Sequence, residues 1–472
     1  MLTLSKKEVL LSPVPCRKAF LAAGAGAGLA TAFPIAGDAL IELSGTHGSD
    51  RATWRDWIAR FDRPENRLSS DSQQGFLSLD LVTISYENHV VTHIGADELP
   101  IERQRLPRSY TMNATQKLHD LGQSLWLDNI TRNLLNSGTL HRYINEFSVT
   151  GLTSNPTIFD HAIKNSTDYD AAIRQKLKEG KSGEELFFEL ALEDLTKAAE
   201  LFRAIYDRTC GVDGWVSLEV SPLLAHDTKT TLAEAKDLHA RAGRPNLFIK
   251  IPGTKEGLPA IEEAIFAGVP INVTLLFSRE HYVAAAEAYL RGIERRIAAG
   301  LKPDIASVAS LFISRWDAAV MGQTPDVLND QLGVAIGKRT YKAYCDLIAS
   351  PRWKRIFNAG ARPQRLLFAS TGTKDPKASD ILYIKTLAAP LTVNTMPEGT
   401  LKDFVDHGEL GQIVPADGGD CEAVLAQFAK AGIDIDALAA KLQDEGANSF
   451  VKSWNELMAV IVSKSANLQK GS

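Results

Sequence analysis

Cysteine is scarce in this chain: Cys16, Cys210, Cys345 and Cys421 are the only four in 472 residues. None stands in a CxxC pair, so neither a zinc cluster nor a disulfide framework is supported. Reduced thiols in a cytoplasm are the plain expectation. Charge of one sign is lacking too. The formal net charge is −5 and the pI about 6.1, with no basic excess to attract nucleic acid. There is no Walker motif, and LWLDNI runs on into TRNLLNSG with no Gly-rich dinucleotide fingerprint. GAGAGLA at 24–30 has a GxGxxA-like spacing but no convincing strand before it. His119, His141, His161 and His226 have no partners at ligand spacing, so no metal is expected. What remains, 44% hydrophobic and 23% charged residues, is ordinary globular composition.

The first 111 residues read differently from the rest. Residues 19–37 are apolar and rich in Gly and Ala, with Lys6, Lys7, Arg17 and Lys18 ahead of them. That is the charge pattern of a signal peptide, at the lower edge of spanning length. The Gly content and Pro34 argue against a spanning helix, and no membrane partner is expected. Residues 44–75 are polar, and LSLDLVTISYENHVVTHIG reads as a hairpin. The extension has three readings: a targeting segment, a small accessory region, or a disordered segment or start-site artefact translated from upstream of Met112. Regular helical patterning begins at Met112, so residues 1–111 are taken as the extension and 112–472 as the folded unit.

From there, strand-length apolar runs alternate with helical patterns. The runs occupy 124–130, 149–155, 214–220, 246–252, 269–277, 306–314, 365–370 and 390–396. They are aliphatic and β-branched, as strands buried on both faces are. Between them, 230–243 and 278–300 carry helical spacing and end at glycine. Eight strands with helices over about 270 residues predict a (β/α)8 TIM barrel, with helices at 420–431 and 434–464 as a C-terminal cap. A doubly wound open sheet is the alternative, and it lacks its phosphate-binding fingerprint.

Barrel chemistry sits at the carboxyl ends of the strands, and these ends are polar. Alternation places Asn246, Phe248 and Lys250 on one face, and Leu247, Ile249 and Ile251 on the other. Lys250 then points into the barrel. A buried ammonium must be paired or neutralised, and a neutral amine forms Schiff bases with carbonyls. The competing reading is a lysine that snorkels to solvent or pairs structurally with Glu219. Asp128 and Glu219 are carboxylates suited to dividing acid–base work. Asp128 is equally suited to capping a helix that starts at Ile130. Arg315 and Lys374, with Ser370 and Thr371, suggest an anion site near the last strands. Against that, Arg315 pairs readily with Asp317 on a solvent-facing helix.

The motifs WLDN, GLTSNPTIF, SLEVSP, IKIPGT, INVTLLFS, SLFISRWD, FASTGTKDP and TVNTMP, in this order, closely resemble transaldolase, most of all its longer bacterial and plant-type branch. The resemblance covers residues 112 to about 464. It implies a class I aldolase-type barrel that needs no metal or organic cofactor. It also implies transfer of a dihydroxyacetone unit from sedoheptulose 7-phosphate to glyceraldehyde 3-phosphate, giving erythrose 4-phosphate and fructose 6-phosphate in the cytoplasmic non-oxidative pentose phosphate pathway. The expected partners are these sugar phosphates, in a monomer or homodimer.

Carried over residue by residue, the resemblance makes Lys250 the imine-forming lysine and Asp128 the acid/base of aldol cleavage. Glu219 acts through a water that Thr274 helps hold. Asn155 and Asn272 bind the dihydroxyacetone moiety, Ser310 meets the substrate's hydroxyl end, Phe312 lies beside the pocket, and Arg315 binds phosphate. After strand seven, some family members read Ser-x-Arg. Here Ser370-Thr371-Gly372-Thr373-Lys374 stands instead, so Ser370 carries over and Lys374 is the replacement cation, two positions late. The nearest rival is a fructose 6-phosphate aldolase-like activity on the same scaffold, against which Glu219 argues. A non-catalytic sugar-phosphate binder is the other, and it would need none of the imine residues. The helical face of 444–462 is expected to cross the barrel mouth and limit water.

Overall fold

The computed structural model describes residues 81–86, 89–94 and 113–470. The apolar stretch at 19–37 and the polar stretch at 44–75 lie outside the described residues. The chain divides into two compact units, Met1–Thr111 and Met112–Ser472. In the first, β1 (Leu81–Tyr86) pairs antiparallel with β2 (His89–Ile94), which is the expected hairpin.

The second unit is a closed barrel of eight parallel strands. They are β3 (Gln123–Asp128), β4 (Val149–Thr153), β5 (Trp215–Glu219), β6 (Leu247–Pro252), β7 (Ile271–Leu276), β8 (Ser307–Phe312), β9 (Gln364–Ala369) and β10 (Thr392–Met396), with β10 closing on β3. All eight overlap the apolar runs of the sequence, with their ends displaced by up to two residues. The 278–300 helix is Arg279–Ala298, capped by Ser278 Oγ, which accepts from His281 N at 3.1 Å. The 230–243 helix is Thr228–Ala242, and Gly243 turns it off at φ 55°, a left-handed conformation that glycine adopts without strain. The last helix runs Ile435–Lys470, six residues beyond its expected end.

Alternation explains the layering. Leu125 and Leu127, Val216 and Leu218, and Leu247, Ile249 and Ile251 are all buried on the outer face against the helix ring. The inner face is filled in tiers. At the bottom, Arg365 donates to Ser124 Oγ and Thr392 O, both at 2.6 Å, and to Val212 O at 3.1 Å. Ser124 in turn donates to Asp213. This polar plug lies at the amino ends of the strands, the end whose residues serve stability. Above it, Trp215 stacks on Phe248 with centroids 4.0 Å apart, and Trp126 lies 6.1 Å from Phe248 while its Nε1 donates to Asp213 at 2.8 Å. Gly151, paired in register with both Trp126 and Trp215, leaves room for the indole. A Cβ there would stand 2.7 Å from Trp126 side-chain atoms and from Trp215 O.

Gly151→Ala is therefore expected to destabilise the barrel by about 2 kcal/mol, the typical cost of overpacking a filled core. Urea unfolding measures it, and an unchanged midpoint would contradict the layered packing.

Candidate active site

Above the aromatic tier, Glu219, Lys250 and Asn272 stand side by side, because β5, β6 and β7 pair Glu219 with Lys250 and Lys250 with Asn272. All three are buried. Lys250 Nζ donates to Glu219 Oε2 at 3.1 Å and to Ser154 O at 2.9 Å. The structural alternative for the lysine, pairing with Glu219, is thus realised; the snorkelling one is not. Burial pushes the Glu219 carboxyl upward, opposed by Lys250 and reinforced by the negative charge of Asp128. Glu219 Oε1 and Thr274 Oγ1 are both buried polar atoms without a hydrogen-bond partner among the described residues.

Asp128 completes the other side. Thr153 Oγ1 donates to its Oδ1 at 2.7 Å and lies 2.8 Å from Thr395 Oγ1. Burial raises the Asp128 carboxyl, while Lys250, the Thr153 hydrogen bond and Lys374 pull it down. The residue does not cap a helix. Thr131 does, its hydroxyl accepting from Leu134 N at 3.0 Å, because the helix does not begin until Arg132.

The amide and hydroxyl residues take definite places. Ser310 Oγ donates to Asn272 Oδ1 at 2.7 Å, and Asn272 Nδ2 donates to Ser217 Oγ at 3.1 Å, which fixes the Asn272 amide. Asn155 caps the Pro156–Lys164 helix, its Oδ1 accepting from Ile158 N at 3.1 Å. On β10, Asn394 shares register with Leu125 and is bonded by Thr371 at 2.9 Å, so Thr395 rather than Asn394 meets the Asp128 cluster.

On the far rim, the Arg315 guanidinium lies 5.2 Å from the Phe312 ring centroid and 6.0 Å from that of Phe450. The Arg315–Asp317 pair of the competing reading is not formed. Asp317 is buried and accepts from Leu332 N, Gly333 N and Tyr383 Oη. Ser370 has φ 55° and its hydroxyl lies 3.0 Å from that of Ser314. Lys374 is exposed in the loop that follows, with its charge acting on Asp128.

The C-terminal helix crosses the strand ends. Gln443 Nε2 donates to Leu275 O at 2.9 Å and Gly253 O at 3.2 Å. Farther along, Ser453 accepts from Thr157 at 2.8 Å, and Trp454 packs edge-on to Phe187. Leu275 has φ 58°, at a register irregularity between Val273 and Leu276. Such a bulge re-aims the neighbouring side chain, here Thr274. Ser217 and Gln443 were not singled out by the sequence. Alternation from Glu219 reaches Ser217; no local pattern marks Gln443.

A parallel barrel with a buried lysine, one buried and one half-buried carboxylate, and a rim of amides and cations defines a class of barrel enzymes that act on carbonyl compounds. The family model "Transaldolase/Fructose-6-phosphate aldolase" matches residues 125–461, and the chain belongs to that family. It is 44% identical over 358 residues to the transaldolase of Saccharopolyspora erythraea, covering 74% of this chain and 97% of the relative. It is 43% identical over 349 residues to the transaldolase of a Parafrankia species, covering 72% and 95%. It is 41% identical over 358 residues to that of Thiobacillus denitrificans, covering 74% and 100%.

The Asp128 carboxyl is held above its unfolded value, so its ionisation costs stability as pH rises through the carboxylate range. Asp128→Asn is expected to unfold at a higher temperature than the parent at pH 7. The difference should vanish below about pH 4, where an aspartate is protonated in the unfolded chain as well. Equal or lower stability at pH 7 would show that Lys250 and Thr153 outweigh the burial.

Proposed function

We propose that the protein is a transaldolase that moves a dihydroxyacetone unit between sugar phosphates through a Schiff base on Lys250. The observation that carries this reading is the 3.1 Å contact between Lys250 Nζ and Glu219 Oε2 in a buried layer that also holds Asn272. Burial favours the uncharged form of the Glu219 carboxyl. A proton passed from Lys250 to Glu219 leaves a neutral amine, the form that attacks a ketone.

The nitrogen adds to the C2 carbonyl of the donor ketose phosphate. Glu219, working through a water held with Thr274, shuttles the protons as the carbinolamine loses water to give the imine. Asp128 then takes the proton of the C4 hydroxyl. The C3–C4 bond breaks, the aldose phosphate leaves, and its electron pair stays on the lysine as an enamine. Asn155 and Asn272 hold the three-carbon hydroxyls, with Asn272 fixed by Ser310. The enamine adds to the incoming aldehyde, Asp128 returns its proton, and hydrolysis frees Lys250. The donor is sedoheptulose 7-phosphate and the acceptor glyceraldehyde 3-phosphate; the products are erythrose 4-phosphate and fructose 6-phosphate.

Arg315, Ser370 and Lys374 bind the phosphate, with Phe312 beneath the arginine. The Ile435–Lys470 helix over the strand ends limits water at the enamine stage, which favours transfer over release of dihydroxyacetone. The catalytic unit is residues 112–472, with no role assigned to 1–111, and the site of action is the cytoplasm. Among the described residues no helix is long and apolar enough to cross a membrane.

Incubation with fructose 6-phosphate and borohydride should add a dihydroxyacetone-derived mass to Lys250, read by peptide mass spectrometry. An unmodified Lys250 in folded protein would overturn the Schiff-base reading. Lys374→Ala should raise KM for the sugar phosphate by roughly threefold to tenfold, as loss of one exposed charge contact does, and leave kcat near its parent value. A normal KM would remove Lys374 from the phosphate site.

A further inference from the structure

Asp128 sits where the barrel's own ladder has run out on one side. Between β10 and β3 the register runs from Thr392 opposite Gln123 to Met396 opposite Leu127. Asp128 is paired only on its other side, with Thr153 of β4. One residue farther on, the gap is bridged by side chains. Asn129 Nδ2 donates to Glu398 Oε2 at 2.9 Å. Glu398 opens the helix Glu398–His407 that leaves β10. Its other oxygen accepts from Tyr143 Oη at 2.6 Å and pairs with Lys402 Nζ at 2.8 Å. Both carboxylate oxygens are therefore occupied, and Tyr143 is itself buried. Burial pushes this carboxyl up, but the bonds from Lys402 and Tyr143 outweigh it and hold the group below the usual range. It is thus a charged acceptor at neutral pH, and charge-assisted bonds are the stronger kind.

We propose that Glu398 is a positioning residue for carbon–carbon cleavage: through Asn129 it extends the tether across the closing seam and fixes the backbone that carries Asp128. This rests on the role given above to Asp128. Adjacent Cα atoms are held about 3.8 Å apart by a planar peptide, so Asn129 cannot shift without moving Asp128. A misplacement of about 1 Å at a reacting group costs on the order of 10²-fold in rate. The Lys250–Glu219 pair lies on β5 and β6, away from this seam, so imine formation does not depend on the tether.

The test separates the two steps. In Glu398→Ala, borohydride should trap Lys250 at the parent rate when the uncleaved fructose 6-phosphate adduct and the dihydroxyacetone-derived one are counted together, with the uncleaved share raised, while kcat for transfer to glyceraldehyde 3-phosphate falls roughly 10- to 100-fold. Asn129→Ala removes the other end of the same bond. It should show the same split, and the double variant should lose no more than either single one, since contacting residues are not additive. Glu398→Gln, which keeps the shape and one acceptor oxygen, should recover part of kcat. It also serves as the folded variant if the alanine change unfolds the barrel. Equal loss of trapping and turnover, additive losses, or unchanged turnover in the glutamine and Asn129→Ala variants would overturn the proposal. Failure of the parent protein to trap at Lys250 would instead refute the Schiff-base reading itself.

Discussion

The buried pair of Lys250 and Glu219 is the constraint around which the upper barrel is arranged. Removing two charges from water costs several kcal/mol each, and their attraction repays this only with good geometry and further hydrogen bonds. The fold supplies the geometry by register, since β5 and β6 place the two residues opposite each other. It supplies one further bond through the carbonyl of Ser154. It leaves Glu219 Oε1 without a hydrogen-bond partner among the described residues. A pair optimised for stability would have closed that valence as well; one poised to hand protons to a bound molecule keeps it open.

The rest of the barrel makes such a site tolerable. The Arg365, Ser124 and Asp213 network and the Trp126, Trp215 and Phe248 tier fill the lower interior, so the reactive layer rests on a packed floor. Two of the non-glycine residues with positive φ, Leu275 and Ser370, lie at the upper end, while Ser148 and Leu391 directly precede β4 and β10 at the lower end. Such outliers persist where surrounding contacts over-determine them. Gln443 holds the Leu275 carbonyl, and Ser314 donates its backbone N–H to Ser370 O at 3.0 Å. The C-terminal helix is thereby part of the site's support as well as its roof.

Asp128 shows how much of a site is decided by what surrounds it. Its hydroxyl partner Thr153 comes from β4 and is itself linked to Thr395 of β10, and the side chain that follows it, Asn129, is bonded to Glu398. Positive charge reaches Asp128 from Lys250 and Lys374. These influences oppose its burial without cancelling it, as the proposed role of taking and returning a proton requires.

Much of this was legible in the residues themselves. Period-2 alternation in NLFIKIP was enough to turn Lys250 inward, and eight aliphatic runs spaced by helical segments specified a barrel, because buried parallel strands and amphipathic helices differ in period. The carboxylates Asp128 and Glu219 followed from their positions at strand ends. The tertiary structure alone decided the partners. Asn129 and Glu398 are 269 residues apart, Gln443 and Leu275 are 168 apart, and Asp317 meets Tyr383, 66 residues on, rather than the nearby Arg315 of the competing reading. Local periodicity reports which way a side chain points. Which distant group it meets depends on strand register and barrel closure, and neither is written in any short stretch of sequence.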